Sequence, residues 1–397
     1  ASANAGGTED VDETGLVTVT VVPFETVGGG TEQDYLARGI GSDLMTDLSR
    51  LSGLRVIGAS PGAATPPIAA RARYVVSGSI QRKGPALRVN VRLVDSRNGE
   101  QLWSRRFERP FGDLIAIQNE ITRELVEQLP GTISDAERRQ LAKRYTSSPE
   151  AYDAFLRAKA LFLVRSPKAN LEARELYMKA LELDPQFARA YAGLAMTYAM
   201  EYRYDARVKS PAPLERGSQL ARTALTIDPD IPEVHWALGF IQAQARHHDL
   251  AIKSLQRAIE LNRSYADAYA LMAGIYTYMG EAQRSVPLLR KALRLHPDGG
   301  YLYFLILGRA YLFEDDIEQA LINLREALKR NPDDLEARIY LAAALVAAGD
   351  RGAAEWEADE IRSREADFSM RRWLETYPLA SAPYEQRLLA LTAQAGL

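Results

Sequence analysis

Gly28-Gly29-Gly30 stand between a β-favouring run, LVTVTVVPF, and a segment with helical spacing. Such a junction can hold a phosphate on the free N–H groups of a helix start. A P-loop, however, requires GxxxxGK followed by Ser or Thr, because a lysine and a hydroxyl serve the phosphates and the metal. No lysine follows this loop, and the third glycine of a dinucleotide GxGxxG is missing from its offset. Glu32 and Asp34 place negative charge in the first helical turn. The junction therefore reads as a turn into a helix, with Thr31 and Asp34 spaced as a weak capping box.

The other residues able to do chemistry are sparse. The chain has no cysteine, which removes thiolate catalysis, disulfides and Cys-ligated zinc. Its four histidines, His235, His247, His248 and His296, lack the i, i+4 pairing with carboxylates that a helical metal site uses. No catalytic residue, metal or cofactor is expected. Lys and Arg total 49 against 52 Asp and Glu, a balance that argues against a nucleic-acid partner. No run approaches the roughly 18 to 20 apolar residues of a membrane span, so a membrane would be met only through an anchor upstream of Ala1.

The elements that carry these residues fall into two regions. Residues 1–15 are small, polar and acidic and read as a disordered linker. From 16 to 130 the pattern is mixed. A buried strand at Leu16 to Phe24 precedes a helix whose Leu36, Ile40, Leu44, Leu48 and Leu51 recur at three- to four-residue steps. A second strand, LRVIGAS, and a third, ARYVVSGSIQRK, follow the small-residue connection PGAATPPIAA. Gly84-Pro85 and Asn98-Gly99 then turn the third strand into ALRVNVRLVD and EQLWSRRFE, an antiparallel meander with one buried face. A helix from Asp113 to Leu129 closes the region, which makes a small α/β (α+β) domain with a mixed sheet. The meander's outer side is expected to be basic, with Arg82, Lys83, Arg88, Arg92, Arg97, Arg105 and Arg106. It is either a solvated face or, through Arg82, Arg88, Arg92 and Arg105, a surface for an anion or acidic partner.

After a helical connector at 131–149, the chain is strand-free. ALELDP, LTIDP, LRLHP and LKRNP close helical units at Pro185, Pro229, Pro297 and Pro332, with Arg263 in the same slot after IELN. The intervals of 44, 34, 34 and 35 residues mark a helix-pair repeat of tetratricopeptide length, and RYDARVKSPAPLE absorbs the longer one. Five residues before each closing slot stand Ala180, Ala224, Ala258, Ala292 and Ala327, and twelve before stand Ala173, Gly217, Ala251, Ser285 and Ala320. These small residues suit close helix packing. His235 and Gln242 break the bulky pattern in the third unit. Five to six units over 150–365, with capping helices over 366–397, are expected to build an all-α superhelix. Its first helices should line a concave groove with Met196, Met200, Trp236, Phe240, Ala270, Tyr278, Arg309 and Phe313. Such a surface suits a protein or peptide partner, unless these side chains fill the superhelix or hold the chain's own tail.

The repeats resemble tetratricopeptide repeat proteins over nearly all of 150–365. The segments VVPFETVGGGTEQDYLARGI, DLMTDLSRLSGLRVI, YVVSGSI and LVDSRNGEQLWSRRFERPFGDLIAIQNEIT resemble the TolB-like amino-terminal domain of bacterial signalling proteins. The pairing, with the ending FSMRRWLETYPLASAPYEQRLLALTAQAGL, is similar to the region downstream of the catalytic domain in class III adenylate/guanylate cyclases. That resemblance implies a non-catalytic sensory or interaction region regulating an attached cyclase through protein binding or self-association as a homodimer. It implies a periplasmic location within an inner-membrane protein, with a cytoplasmic one as the alternative. A freestanding periplasmic assembly scaffold and a nucleotide-binding enzyme fragment are the competing readings.

Overall fold

The computed structural model describes residues 16–28, 33–58, 71–130, 134–143, 145–204 and 210–397. The linker at 1–15, Gly29 to Glu32, all of PGAATPPIAA, and residues 205–209 of RYDARVKSPAPLE lie outside them. The chain divides into two compact units, 1–144 and 145–397. The division falls within the segment expected as a connector.

In the first unit, β1 (Val17–Val21) lies between β3 (Leu54–Ile57) and β4 (Tyr74–Lys83), parallel to both. The two-residue β2 (Glu25–Thr26) also runs parallel to β4. β5 (Ala86–Asp95) and β6 (Glu100–Pro110) extend the sheet antiparallel, in the order β3-β1-β4-β5-β6. Two helices, α1 (Asp34–Leu48) and α2 (Leu114–Gln128), press Leu36, Ile40, Leu44, Leu114, Ile117, Ile121 and Leu125 into the core. There they join the inward residues Val19, Val76, Ile80, Leu87, Val89, Val91 and Phe107 of the sheet. A short α3 (Asp135–Leu141) follows, and its Glu137 accepts the Ser52 backbone N–H.

Gly28 has φ +71°, a left-handed conformation that a side chain resists. Thr31 of the expected capping box lies outside the described residues. The N-cap of α1 is Gln33, whose amide donates to the Arg82 carbonyl and accepts the Arg82 N–H, which ties the helix start to β4.

The expected basic face is divided between the two sides of the sheet. Arg88 and Arg92 lie on the outer side, where Arg88 pairs with Glu108 at 3.1 Å and Arg92 donates to the Ser77 hydroxyl. Arg105 lies on the helix side, paired with Glu120 at 3.3 Å and with Glu124. The cause is a register shift between Leu93 and Val94, which pair with Trp103 and Gln101. One skipped residue, Leu102, reverses the in–out alternation of everything beyond it. Arg82 also faces the helix side, opposite Leu87, with its guanidinium 3.7 Å from the centre of the Phe111 ring. The four arginines therefore do not form one anion-binding surface.

The second unit consists of antiparallel helix pairs: α4 (Pro149–Phe162) with α5 (Pro167–Leu183), and α6 (Ala188–Tyr204) with α7 (Ala212–Ile227). They are followed by α8 (Pro232–Gln244) with α9 (His248–Leu261), and α10 (Ala266–Met279) with α11 (Ser285–Leu295). The series ends with α12 (Tyr301–Phe313) with α13 (Ile317–Arg330), and α14 (Leu335–Ala347) with α15 (Arg351–Arg364). Then come α16 (Met370–Thr376) and α17 (Ala382–Gln394).

The local causes are plain. Ser148, Ser166, Asp316, Asp334 and Asp350 accept N–H groups at helix starts. The alanines at 180, 224, 258, 292 and 327 are fully buried, as are Ala173, Ala251, Ser285 and Ala320. At Gly308 a Cβ would lie 2.5 Å from the Leu324 side chain, so α12 and α13 approach too closely for alanine. The two polar departures of the third unit are locally bonded. His235 Nε2 lies 2.7 Å from the Pro229 carbonyl, and Gln242 accepts the Ser254 hydroxyl at 2.7 Å.

Candidate functional site: the concave groove and its tail

The first helix of each pair faces a shared interior. Arg203 at the end of α6 reaches Glu336 at the start of α14, 133 residues away, at 2.9 Å. Helices from the second and sixth pairs therefore curve around one groove.

The residues expected to line it fall into three groups. Met196 and Ala270 are packed between helices; Met196 lies in a cluster with Ala192, Ile231, Val234 and Ala237. Met200, Trp236 and Phe240 are half-buried. Trp236 is stacked with Phe240 at 5.9 Å, and its indole N–H donates to the Asp267 carbonyl. Tyr278, Arg309 and Phe313 face the groove but are buried, because residues 370–397 cover them.

The cover is specific. Tyr377 inserts its ring edge-on to Tyr278 at 5.4 Å, with Trp373 stacked on its other side at 4.0 Å. Its hydroxyl donates to Glu336 Oε1 at 2.6 Å and accepts from Arg309 Nη1 at 2.5 Å, while Arg309 also donates to Glu336 at 2.9 Å. The Arg309 guanidinium lies 4.3 Å from the Tyr278 ring centre and donates to the Gly274 carbonyl. Burial pushes the Glu336 carboxyl up, but Arg203, Arg309 and the Tyr377 hydroxyl together hold it below the ordinary carboxylate range.

Backbone is held as well. The N–H groups of Ala380 and Ser381 both donate to the Tyr278 carbonyl, at 2.9 and 3.1 Å. Arg246 Nη2 donates to the carbonyls of Leu374 and Tyr377. His248 is buried beside them, and burial holds its imidazole below the ordinary range against the opposing pull of the Pro378 carbonyl. Farther along, Tyr384 stacks on Phe313 at 4.0 Å, and Arg387 pairs with Asp315.

Sequence reasoning did not select Arg246, His248, Asp315, Glu336 or Tyr377. One signal was available. Arg246 and Asp315 occupy the turn between paired helices with φ near +60°, as Arg165 does in the first pair, while the fourth and sixth pairs carry Gly280 and Gly349 there. A long or charged side chain held in a left-handed turn is uncommon enough to draw attention. Among the described residues, no group of three or more His, Asp or Glu side chains is arranged to hold a metal ion.

Four stretches of this helix-pair array match family models of the tetratricopeptide repeat, at residues 176–209, 232–265, 266–298 and 303–344. Over 242 residues the chain is 32% identical to "Putative adenylate cyclase 3" of Rhizobium meliloti (strain 1021), covering 59% of this chain and 41% of that protein. It is 30% identical over 115 residues to the cell division cycle protein 27 homolog of Caenorhabditis elegans, covering 29% of this chain and 14% of that protein. The chain thus spans less than half the length of these relatives. Among solved structures, a thermophilic tetratricopeptide protein of Thermus thermophilus matches with a TM-score of 0.41 and 21% identity, over 49% of this chain and 99% of that one.

Proposed function

We propose that this chain is the non-catalytic interaction region of a bacterial signalling protein, and that it regulates an attached adenylate/guanylate cyclase by binding a protein segment in the repeat groove. The observation that carries this reading is a concave surface of aromatic and charged side chains that already holds polypeptide, through both side-chain and backbone bonds. Such recognition selects a partner without turning over a substrate. Two further features support it. The similarity to a protein named as an adenylate cyclase extends over more than half of this chain, and the first unit's segments resemble a TolB-like domain. In such architectures the repeats lie in the periplasm and the effector in the cytoplasm, and we assign this chain to the periplasmic side.

The test uses the intact gene product in membranes. Trp236→Ala with Phe240→Ala removes the half-buried aromatic pair, and the reading requires altered cyclic-nucleotide output and loss of partner recovery from periplasmic extract. Unchanged output and recovery in a folded double variant would overturn it. Calorimetry of this chain with ATP and GTP separates the enzyme-fragment reading, which requires saturable binding.

A further inference from the structure

Residues 370–397 do not continue the repeat. α16 has seven residues, and the backbone extends at Tyr377 (φ −78°, ψ 132°) and again at Ser381 (φ −80°, ψ 107°). Between these points Thr376-Tyr377-Pro378-Leu379-Ala380 crosses the groove, with Tyr377 and Leu379 buried.

We infer that the groove is a receptor for an extended tyrosine-proline segment. The chain's own residues 376–380 occupy it as a resident ligand, which a partner protein's segment of the same chemistry must displace. The inference rests on the reading of the groove as a protein-binding site and specifies what that site binds.

Two independent observations carry it. The first is the phenol pocket. Arg309 is 1% exposed and Glu336 8%, a burial of charge that a purely structural core replaces more cheaply with apolar side chains. What the pair provides is one acceptor and one donor arranged for a hydroxyl at the tip of an aromatic ring, and Tyr377 satisfies both. Phenylalanine would leave both charges without that partner, so the pocket discriminates by the hydroxyl. Proline next in sequence fits the same site. It forces the preceding residue toward extended backbone, as Tyr377 shows, and has no N–H to leave unpaired. The bonds from Ala380 and Ser381 to Tyr278, and from Arg246 to two carbonyls, recognise the backbone on either side whatever its side chains.

The second observation is the set of turns along the groove. The left-handed turn residues of three successive pairs all meet the tail. Arg246 holds its carbonyls, Gly280 lies against Ser381, and Asp315 pairs with Arg387. For Arg246 the left-handed conformation costs about 1 kcal/mol or more compared with glycine, and less for Asp315, whose short polar side chain tolerates it. At Arg246 and Asp315 the left-handed residue's side chain grips the tail, whereas Arg165, left-handed in the turn of the first pair, lies against the Tyr301 ring.

A tethered ligand competes at an effective concentration on the order of millimolar. A free segment therefore binds the wild-type groove weakly, and far better once the tethered tyrosine is lost. The test uses the full chain, its Tyr377→Ala variant, and a fluorescent peptide of residues 373–384, WLETYPLASAPY. The expected result is peptide binding at least 10-fold tighter to Tyr377→Ala than to wild type, with at least a 10-fold loss when the peptide's first tyrosine, that of Tyr377-Pro378, is replaced by phenylalanine. Equal affinity of the two peptides, or no saturable binding to a variant with unchanged circular dichroism, overturns the inference.

If Tyr377→Ala does not fold, hydrogen exchange of the wild type decides. A displaceable tail exposes the amides of Ala380 and Ser381 by a local opening, before α12 and α14 exchange. Exchange of those amides only together with α14 makes the tail a fixed cap and overturns the inference. The peptide assay uses neither cyclase nor cellular partner. Peptide binding without an effect on cyclase output therefore counts against the proposed function alone, and the converse counts against this inference alone.

Discussion

Glu336→Gln tests the centre of the groove with almost no change in shape. The carboxylate accepts from Arg203 at 2.9 Å, from Arg309 at 2.9 Å and from the Tyr377 hydroxyl at 2.6 Å, and both Glu336 and Arg309 are buried. Glutamine retains one carbonyl acceptor but removes the negative charge and turns the second acceptor into a donor facing Arg203. Removing one partner of a buried pair typically costs about 3–5 kcal/mol, because the remaining charge is neither solvated nor paired. Arg203 is partly accessible and recovers water, so the stranded charge is that of Arg309, and a loss of about 3 kcal/mol is expected.

The loss is measured by urea unfolding of the full chain, with hydrogen exchange at Ala380 and Ser381 as the local readout, because repeat arrays need not unfold in one step. The triple variant Arg309→Met, Glu336→Leu, Tyr377→Phe removes the buried polar groups together and leaves only the partly accessible Arg203, so it should be less destabilised than Glu336→Gln alone. A Glu336→Gln chain within about 0.5 kcal/mol of wild type, or a triple variant less stable than the single, would refute the reasoning.

Three further outcomes follow from the same geometry. Gly308→Ala should destabilise by about 1–3 kcal/mol through overpacking against Leu324, measurable by thermal unfolding. Arg246→Gly relieves the left-handed backbone while losing the tail contacts, whereas Arg246→Ala loses the contacts and keeps the strain; glycine should be more stable than alanine by about 1 kcal/mol, with faster exchange than wild type at the tail in both. His248 has a folded-state pKa below its ordinary value of about 6.5, chiefly through burial, so its contribution to stability is complete above that pH and is lost as pH falls through the lowered value. Thermal melts from pH 7.5 down to pH 5 should show a decline that His248→Asn flattens, and an unchanged slope in the variant would remove His248 from the account.

The strongest regularities were legible in the chain because they are local. Alternation of Leu87, Val89, Val91 and Leu93 with polar neighbours depends only on the pleat, and the structure buries those four. The alanines at 180, 224, 258, 292 and 327 are dictated by the closeness of paired helices and recur at a countable distance from each closing residue. Trp236 and Phe240, one helical turn apart, could be expected to share a face, and they stack on each other.

Where a distant segment intervenes, counting fails. A one-residue shift at Leu93/Val94 was enough to move Arg105 to the helix side of the sheet, since every side chain past a bulge changes face. No period within α10, α12 or α14 says that Tyr278, Arg309 and Glu336 will enclose a phenol from residue 377, because that contact is set by the cumulative curvature of several helix pairs. The sequence by itself determined the mixed sheet, the repeat and the small residues that pack it, all consequences of hydrogen bonding and spacing over a few turns. Only the tertiary structure decided which half of the groove is open and which is filled by the chain's own tail, because burial of Arg309 and Glu336 depends on side chains brought together from across the superhelix.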